Sequence, residues 1–174
     1  MKCRRDISGR SIVEMLGVLA IMGIITVIGI AGYQKAVAAL NRSGTVSDVA
    51  ELAQEVRSLY SGHSFVDSNL QANVIGVRGM TGETIPNRFG GYYELGLAGT
   101  PINGDGVQQS AFFKITITHL PQTDCIFLST QNWPDVRDRD GKDNGGRAII
   151  GDGTGASGTC QTGADNKITL VYQA

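Results

Sequence analysis

One carboxylate occupies a costly position. Glu14 stands at the mouth of nineteen uncharged, mostly apolar residues, Met15 to Tyr33. An ionised acid carried into an apolar medium is expensive unless a cation meets it, so an acid at such a boundary marks a functional position. The chemistry on offer is pairing rather than catalysis: a charge to be neutralised by another subunit. The plain alternative is that Glu14 only favours the positive N-terminal end of a helix.

Other residues capable of chemistry are sparse. His63 and His119 are isolated and read as surface or strand residues rather than as a base or metal ligands. There is no nucleophile elbow, phosphate-binding loop or zinc spacing. Gly151-Asp152-Gly153-Thr154-Gly155 does not open an apolar helix, so it is no phosphate cradle. Asp138-Arg139-Asp140-Gly141-Lys142-Asp143 clusters oxygen donors as a calcium loop does. Yet the EF-hand spacing is not met and no glutamate closes it, so a solvated, turn-rich loop is the better reading. Trp133, beside Pro134, serves either contact or packing. The chain therefore reads as no enzyme, with no cofactor and no metal site.

The 174 residues hold 15 basic and 16 acidic side chains, a net charge of −1. That supports one domain plus a membrane segment and gives no broad basic field for a specific nucleic acid.

The elements that position Glu14 come first in the chain. Ile12 to Ala39 supplies the roughly 20 apolar residues of a membrane span, broken mainly by Glu14, Gln34 and Lys35. Lys2, Arg4, Arg5 and Arg10 precede it, which places the N-terminus in the cytoplasm and the bulk of the chain outside. Ala36-Val37-Ala38 also fits the small-x-small pattern of a secretory signal peptide, and a plain signal anchor is a third reading. The run is long for a signal peptide, which gives no reason for Glu14. Gly17, Ala20, Gly23, Gly29, Ala31 and Gly32 let helices approach closely in lipid, and Gly29–Gly32 is either a place for the helix to loosen or glycine merely tolerated in a membrane helix.

Further on, Val46, Val49, Ala53, Val56 and Tyr60 recur at helical spacing, with Asp48, Glu51, Glu55 and Arg57 elsewhere around the helix. Asn41-Arg42-Ser43-Gly44 is a candidate joint and Ser61-Gly62 a stop. One long helix, or two stacked pieces, is expected from about Ser11 to Ser61. His63 to Gly91 reads as a surface connection. Tyr92–Leu97, Phe112–Leu120, Cys125–Thr130, Ala148–Ile150 and Lys167–Gln173 read as strands, with a turn-rich spacer from Gly99 to Gly106. The expected fold class is α+β: a long N-terminal helix packed on a C-terminal antiparallel β-sheet domain. The expected divisions are 1–9, a leader; 10–40, a membrane and filament-core helix; and 41–174, a globular head with an amphipathic helix over 45–61 and a sheet over about 92–173.

Gly9, then four residues, then Glu14, then Met15-Leu16-Gly17-Val18-Leu19-Ala20-Ile21-Met22-Gly23-Ile24-Ile25 resembles the N-terminus of type IV pilins and pseudopilins. The resemblance implies that a prepilin peptidase cuts between Gly9 and Arg10, and leaves open whether the new N-terminus is methylated. Glu14 becomes the fifth mature residue. Arg10 departs from the family, which has an apolar or aromatic residue there. Loss of Lys2, Arg4, Arg5 and Asp6 leaves 12 basic and 15 acidic residues, net −3. The α-amino group of Arg10, with an ordinary pKa near 8, would meet Glu14 of a neighbour in a staggered helical bundle. Such a pair fixes axial register more than it adds net stability.

Ile85-Pro86-Asn87-Arg88-Phe89-Gly90-Gly91, Leu120-Pro121 and Ile168-Thr169-Leu170 resemble the type IVb pilins, including those of conjugative thin pili. The implied partners are further copies of the chain in a helical filament, prepilin peptidase and the inner-membrane assembly machinery. The implied location is the bacterial inner membrane and then an extracellular pilus. A pseudopilin of a type II secretion system and a non-polymerising membrane-anchored adhesin are the alternatives. Cys3 falls in the leader, which leaves Cys125 and Cys160 on the outer side, where an oxidising compartment lets them bond. Two free buried thiols are the alternative. In the family such a bond bounds a variable surface region.

Overall fold

The computed structural model describes residues 12–63, 66–99, 102–104, 107–138, 142, 145–153, 158–163 and 165–174. Two compact units divide the chain, one ending at Leu40 and one running Asn41–Ala174. Helix α1, Ile12–Leu59, contributes its first part to the one and its second part to the other. It is unbroken through Gly29–Gly32 and through Asn41–Gly44, so neither glycine-bearing stretch is a joint.

Gly44 has another use. A Cβ there would collide with the Arg88 side chain, which crosses the helix surface at that point. The missing side chain lets the Arg88 guanidinium reach Asp48 with two hydrogen bonds, 2.8 and 2.9 Å long.

In the Asn41–Ala174 unit the elements after α1 are β1 (Val66–Asp67), α2 (Leu70–Val77), β2 (Ile85–Pro86), β3 (Tyr92–Ala98), β4 (Ile102–Gly104) and β5 (Val107–Ser110). Then come β6 (Phe112–Leu120), α3 (Gln122–Thr130), β7 (Val136–Arg137), β8 (Ile149–Ile150) and β9 (Asn166–Gln173). The main sheet has the order β2-β3-β6-β9-β7, with β8 also on β9; a smaller sheet has the order β1-β5-β4. All pairs are antiparallel. The fold is thus α+β, a long helix packed on an antiparallel sheet.

The period-2 pattern of β6 sets the register. Phe113, Ile115 and Ile117 are fully buried and face Leu97, Leu95 and Tyr93 on one side and Tyr172, Leu170 and Ile168 on the other. Against this layer α1 lays Val49, Leu52, Ala53 and Val56, spaced so that they share one helix face. Burial of such side chains contributes about 1.5–3 kcal/mol each, which outweighs anything on the rim.

The rim is ionic. Arg42 bonds Asp124 at 2.5 Å, Arg78 reaches Glu55 at 2.6 Å and Glu51 at 3.0 Å, and Arg57 donates to the Gln173 carbonyl at 3.2 Å. Most of these side chains are partly open to solvent, where a pair contributes about 0–1 kcal/mol. Asp124 differs, because its side chain is only 8% exposed.

Three further expectations fail here. Cys125–Thr130 is helix α3, not a strand. Its apolar run is too short for periodicity to decide, and the buried set Asp124, Cys125 and Leu128 shares a helical face while Ile126 and Phe127 are exposed. The segment from His63 to Gly91 holds α2, which buries Leu70, Val74 and Ile75. Asn69, Asn73 and Gly76 disguise it as a connection. The spacer from Gly99 to Gly106 contains β4, which pairs with β5.

Cys125 and Cys160 form a disulfide with Cα atoms 5.9 Å apart across 35 residues. Closing a loop of that length stabilises by about 4 kcal/mol in the chain-entropy treatment. Cys160→Ser is expected to lower the unfolding free energy of the full chain in detergent by about 2–5 kcal/mol. An unchanged urea midpoint contradicts a structural role for the bond.

Tyr93 and Tyr172 titrate well above their ordinary value, each held neutral chiefly by burial. For Tyr93 the charge of Asp48 adds to that, and its hydroxyl donates to this carboxylate at 3.2 Å. Above pH 10, therefore, the native chain binds more protons than the unfolded chain. Stability is fully present below about pH 10 and falls as pH climbs past it. Urea midpoints measured from pH 9 to 11.5 should decline, and less steeply in Tyr93→Phe. Parallel curves contradict the assignment.

Candidate functional site

Fifteen large apolar side chains between Ile12 and Leu40 are exposed, and no residue of that stretch is buried. They surround the helix on all sides rather than forming a stripe. A helix apolar all round belongs in lipid or in the interior of a bundle, and a patch of this extent is not left to water. This is the one helix among the described residues that is long and apolar enough to cross a membrane. Its single hydroxyl between Met15 and Gly32, that of Thr26, donates to the Met22 carbonyl at 2.7 Å, so it asks nothing of the surroundings.

Glu14 lies in the first turn of α1 and is exposed. It is the only residue from Ile12 to Gln34 that is charged at neutral pH, and Lys35 is the next. Twenty-one helical steps separate the two, about 31 Å at 1.5 Å per step, close to the thickness of a hydrocarbon core. Glu14, Gly17, Val18 and Ile21 fall on one helical stripe. At Gly17 a Cβ would meet no atom within 4 Å, so the backbone is bare beside the acid. The arrangement offers a charge, an apolar ridge and close backbone access, which suits a packed helix that carries one cation. Gly9 and Arg10 lie outside the described residues, and their relation to Glu14 is one of sequence alone.

The second candidate region is bounded by the Cys125–Cys160 bond. Trp133 lies inside it and is 2% exposed, with its indole N–H donating to the Leu128 carbonyl at 2.9 Å. It packs rather than awaiting a contact. Asp138 accepts from the Lys142 amide at 2.7 Å and its own amide donates back to the Lys142 carbonyl at 2.8 Å, which closes a turn. Residues 139–141, 143 and 144 of the acidic run lie outside the described residues. Among the described residues no group of His, Cys, Asp and Glu is placed to hold a metal. Gly151 and Gly153 lie across β9: Thr169 donates to the Gly151 carbonyl at 2.7 Å, and Gly153 runs against the Thr169 side chain. They form no cradle at a helix start.

The histidines stay apart. His119 stands at a positive φ of 58° beside the register shift of β6, with Nε2 3.7 Å from Asp165 and its ring against Tyr92. His63 follows the end of α1 and is exposed.

One connection was not read from the sequence. Arg42 bonds the largely buried Asp124 and covers the Phe127 ring at 5.0 Å. It thereby ties the second part of α1 to α3, beside the disulfide. The available signal was an acid placed directly before a cysteine and three residues after Pro121, where a helix N-terminus favours it.

No curated protein matches this chain. The family model described as PilS N terminal matches residues 39–173. That range takes in the second part of α1, both sheets, α2, α3 and the two bonded cysteines, and begins downstream of Glu14. The chain therefore belongs to the PilS N-terminal family, a domain family of the type IV pilins.

Proposed function

We propose that the protein is the structural subunit of a type IV pilus-like bacterial surface filament and works without catalysis. The observation that carries this reading is the stretch Ile12–Leu40, apolar on every side, with a lone acid in its first turn. In this reading the stretch first lies in the inner membrane with its N-terminus in the cytoplasm. Prepilin peptidase cuts after Gly9. The freed chain then leaves the lipid for a bundle of identical helices, helped by the assembly machinery. Lipid and bundle are both apolar solvents, so the transfer costs the side chains little. What changes is the fate of Glu14: the bundle supplies it with the ammonium of a neighbour's Arg10, and this pair selects one axial stagger. The outer domain, braced by its disulfide, then forms the filament surface.

A pseudopilin of a secretion machine would share the helix and the cut but make no long surface filament. A membrane-anchored adhesin would share the span and need neither. Filaments purified from cells and imaged separate the three.

Two measurements test the reading further. The intact mass of the filament protein should place Arg10 first, with or without one added methyl group. A mature N-terminus at Ala39 contradicts it in favour of a signal peptide. Glu14→Gln, which keeps shape and removes charge, should insert and be cut normally, since a less charged helix enters lipid more readily. It should then yield few or no filaments. Wild-type filament numbers built from that variant would show that the carboxylate does not direct assembly.

A further inference from the structure

Two charges bracket the apolar part of α1. Between Glu14 and Lys35 stand twenty uncharged residues, Met15 to Gln34. Their rise is about 30 Å, the thickness of one hydrocarbon core. The apolar residues do not stop at Lys35. Ala36-Val37-Ala38-Ala39-Leu40 follow, and Leu40 is 69% exposed. Met15 to Leu40 together would rise about 39 Å, more than a hydrocarbon core requires. Composition alone therefore admits several depths for the helix, and Lys35 is what distinguishes them.

Lys35 is exposed, and among the described residues no acid pairs with it. A lysine at the end of a span lays its stem along the lipid and lifts its ammonium into the headgroup layer. The anion it meets there is a phosphate. Tyr33 is exposed as well and leaves the helix about 200° round from Lys35. An amphipathic ring thus stands at the same level on the other side, where interfacial tyrosines belong.

Given the membrane-spanning stage proposed above, we infer that Lys35 is a lipid anchor: its ammonium binds the phosphate of a phospholipid on the outer side of the membrane and so fixes Met15–Gln34 as the stretch that lies in hydrocarbon before assembly. Each charge then stops one direction of travel. Sliding inward drags Lys35 into hydrocarbon, and sliding outward drags in Glu14. Departure to the outside carries Lys35 from headgroup to water at little cost, so only the acid has to be neutralised on the way.

The test reads depth in the full chain reconstituted in phosphatidylglycerol vesicles. Tyr33→Trp supplies a reporter at the outer boundary, and Trp133 is buried and gives a constant background. Lipids brominated at shallow or deep acyl positions quench the new indole according to its depth. With Lys35 in place the shallow bromines should quench most. Adding Lys35→Leu should let Ala36–Leu40 sink and carry the indole inward by about 4–5 Å, the rise of about three residues, so that the deep bromines quench most. Adding Lys35→Arg should keep it shallow. Formation of the Cys125–Cys160 bond reports an intact outer domain in each variant. In vesicles of digalactosyl diacylglycerol, which carries no phosphate, the form that keeps Lys35 should also lie deep. An indole equally shallow with and without Lys35 overturns the anchor. A shallow indole beside Lys35 in the phosphate-free lipid overturns phosphate as its partner. No quenching by any bromine in any variant removes the membrane span itself, and the anchor with it.

Discussion

One helix has to satisfy two solvents. The second part of α1 must present a single apolar face, Val49 to Val56, to the sheet, while its first part presents apolar side chains in every direction. The Asn41–Ala174 unit follows from the first demand. The inward residues of β3, β6 and β9 form the surface that receives the face, and α2 and α3 close the core at its margins. Arginines from several elements then fix the helix on that surface. Arg78 and Arg88 come from the segments before β2 and β3, whereas Arg42 and Arg57 reach out from α1 itself. Their net energy is small, but a two-point fork such as Arg88 on Asp48 discriminates between rotations and slips of the helix that apolar contacts tolerate.

The sequence carries strong signals wherever one face of an element meets one environment. The alternation in Phe112–Leu120 marks a half-buried strand, the three-and-four spacing after Thr45 marks the packed part of α1, and the unbroken run after Glu14 marks the lone acid as exceptional. Signals fail where an element is short or wholly local. Strands β7 and β8 have two residues each and carry no period. Helix α3 buries three adjacent-turn positions and exposes Ile126 and Phe127, so its composition argues for a strand while its geometry does not. Contacts that join distant residues leave no local trace. Arg42 and Asp124 are 82 residues apart, and Gln71 reaches Leu95 across 24.

Glycine was the residue most easily misread. Gly44 suggests flexibility on paper, yet the helix is continuous there and the glycine is a slot for Arg88. Gly91 is similar: a Cβ would strike Thr118 and His119 in the neighbouring strand. Asn87 organises that turn, donating to the Tyr92 and Thr118 carbonyls and accepting from the Phe89 and Gly91 amides. The same turn carries Arg88 to Asp48.

Strand β9 is the last element of the chain, yet it lies inside the sheet, bonded to β6 on one side and to β7 and β8 on the other. Its end is fastened too, by the Ala174 amide on the Ala111 carbonyl and by Arg57 on the Gln173 carbonyl. The core therefore cannot close until β9 has joined β6. Everything from Asn41 to the start of β9 must wait without that strand until it is made. Ile115, Ile117, Leu95 and their neighbours stay open to solvent during that interval. Loss of even part of β9 then acts as a folding defect of the whole domain rather than a local one.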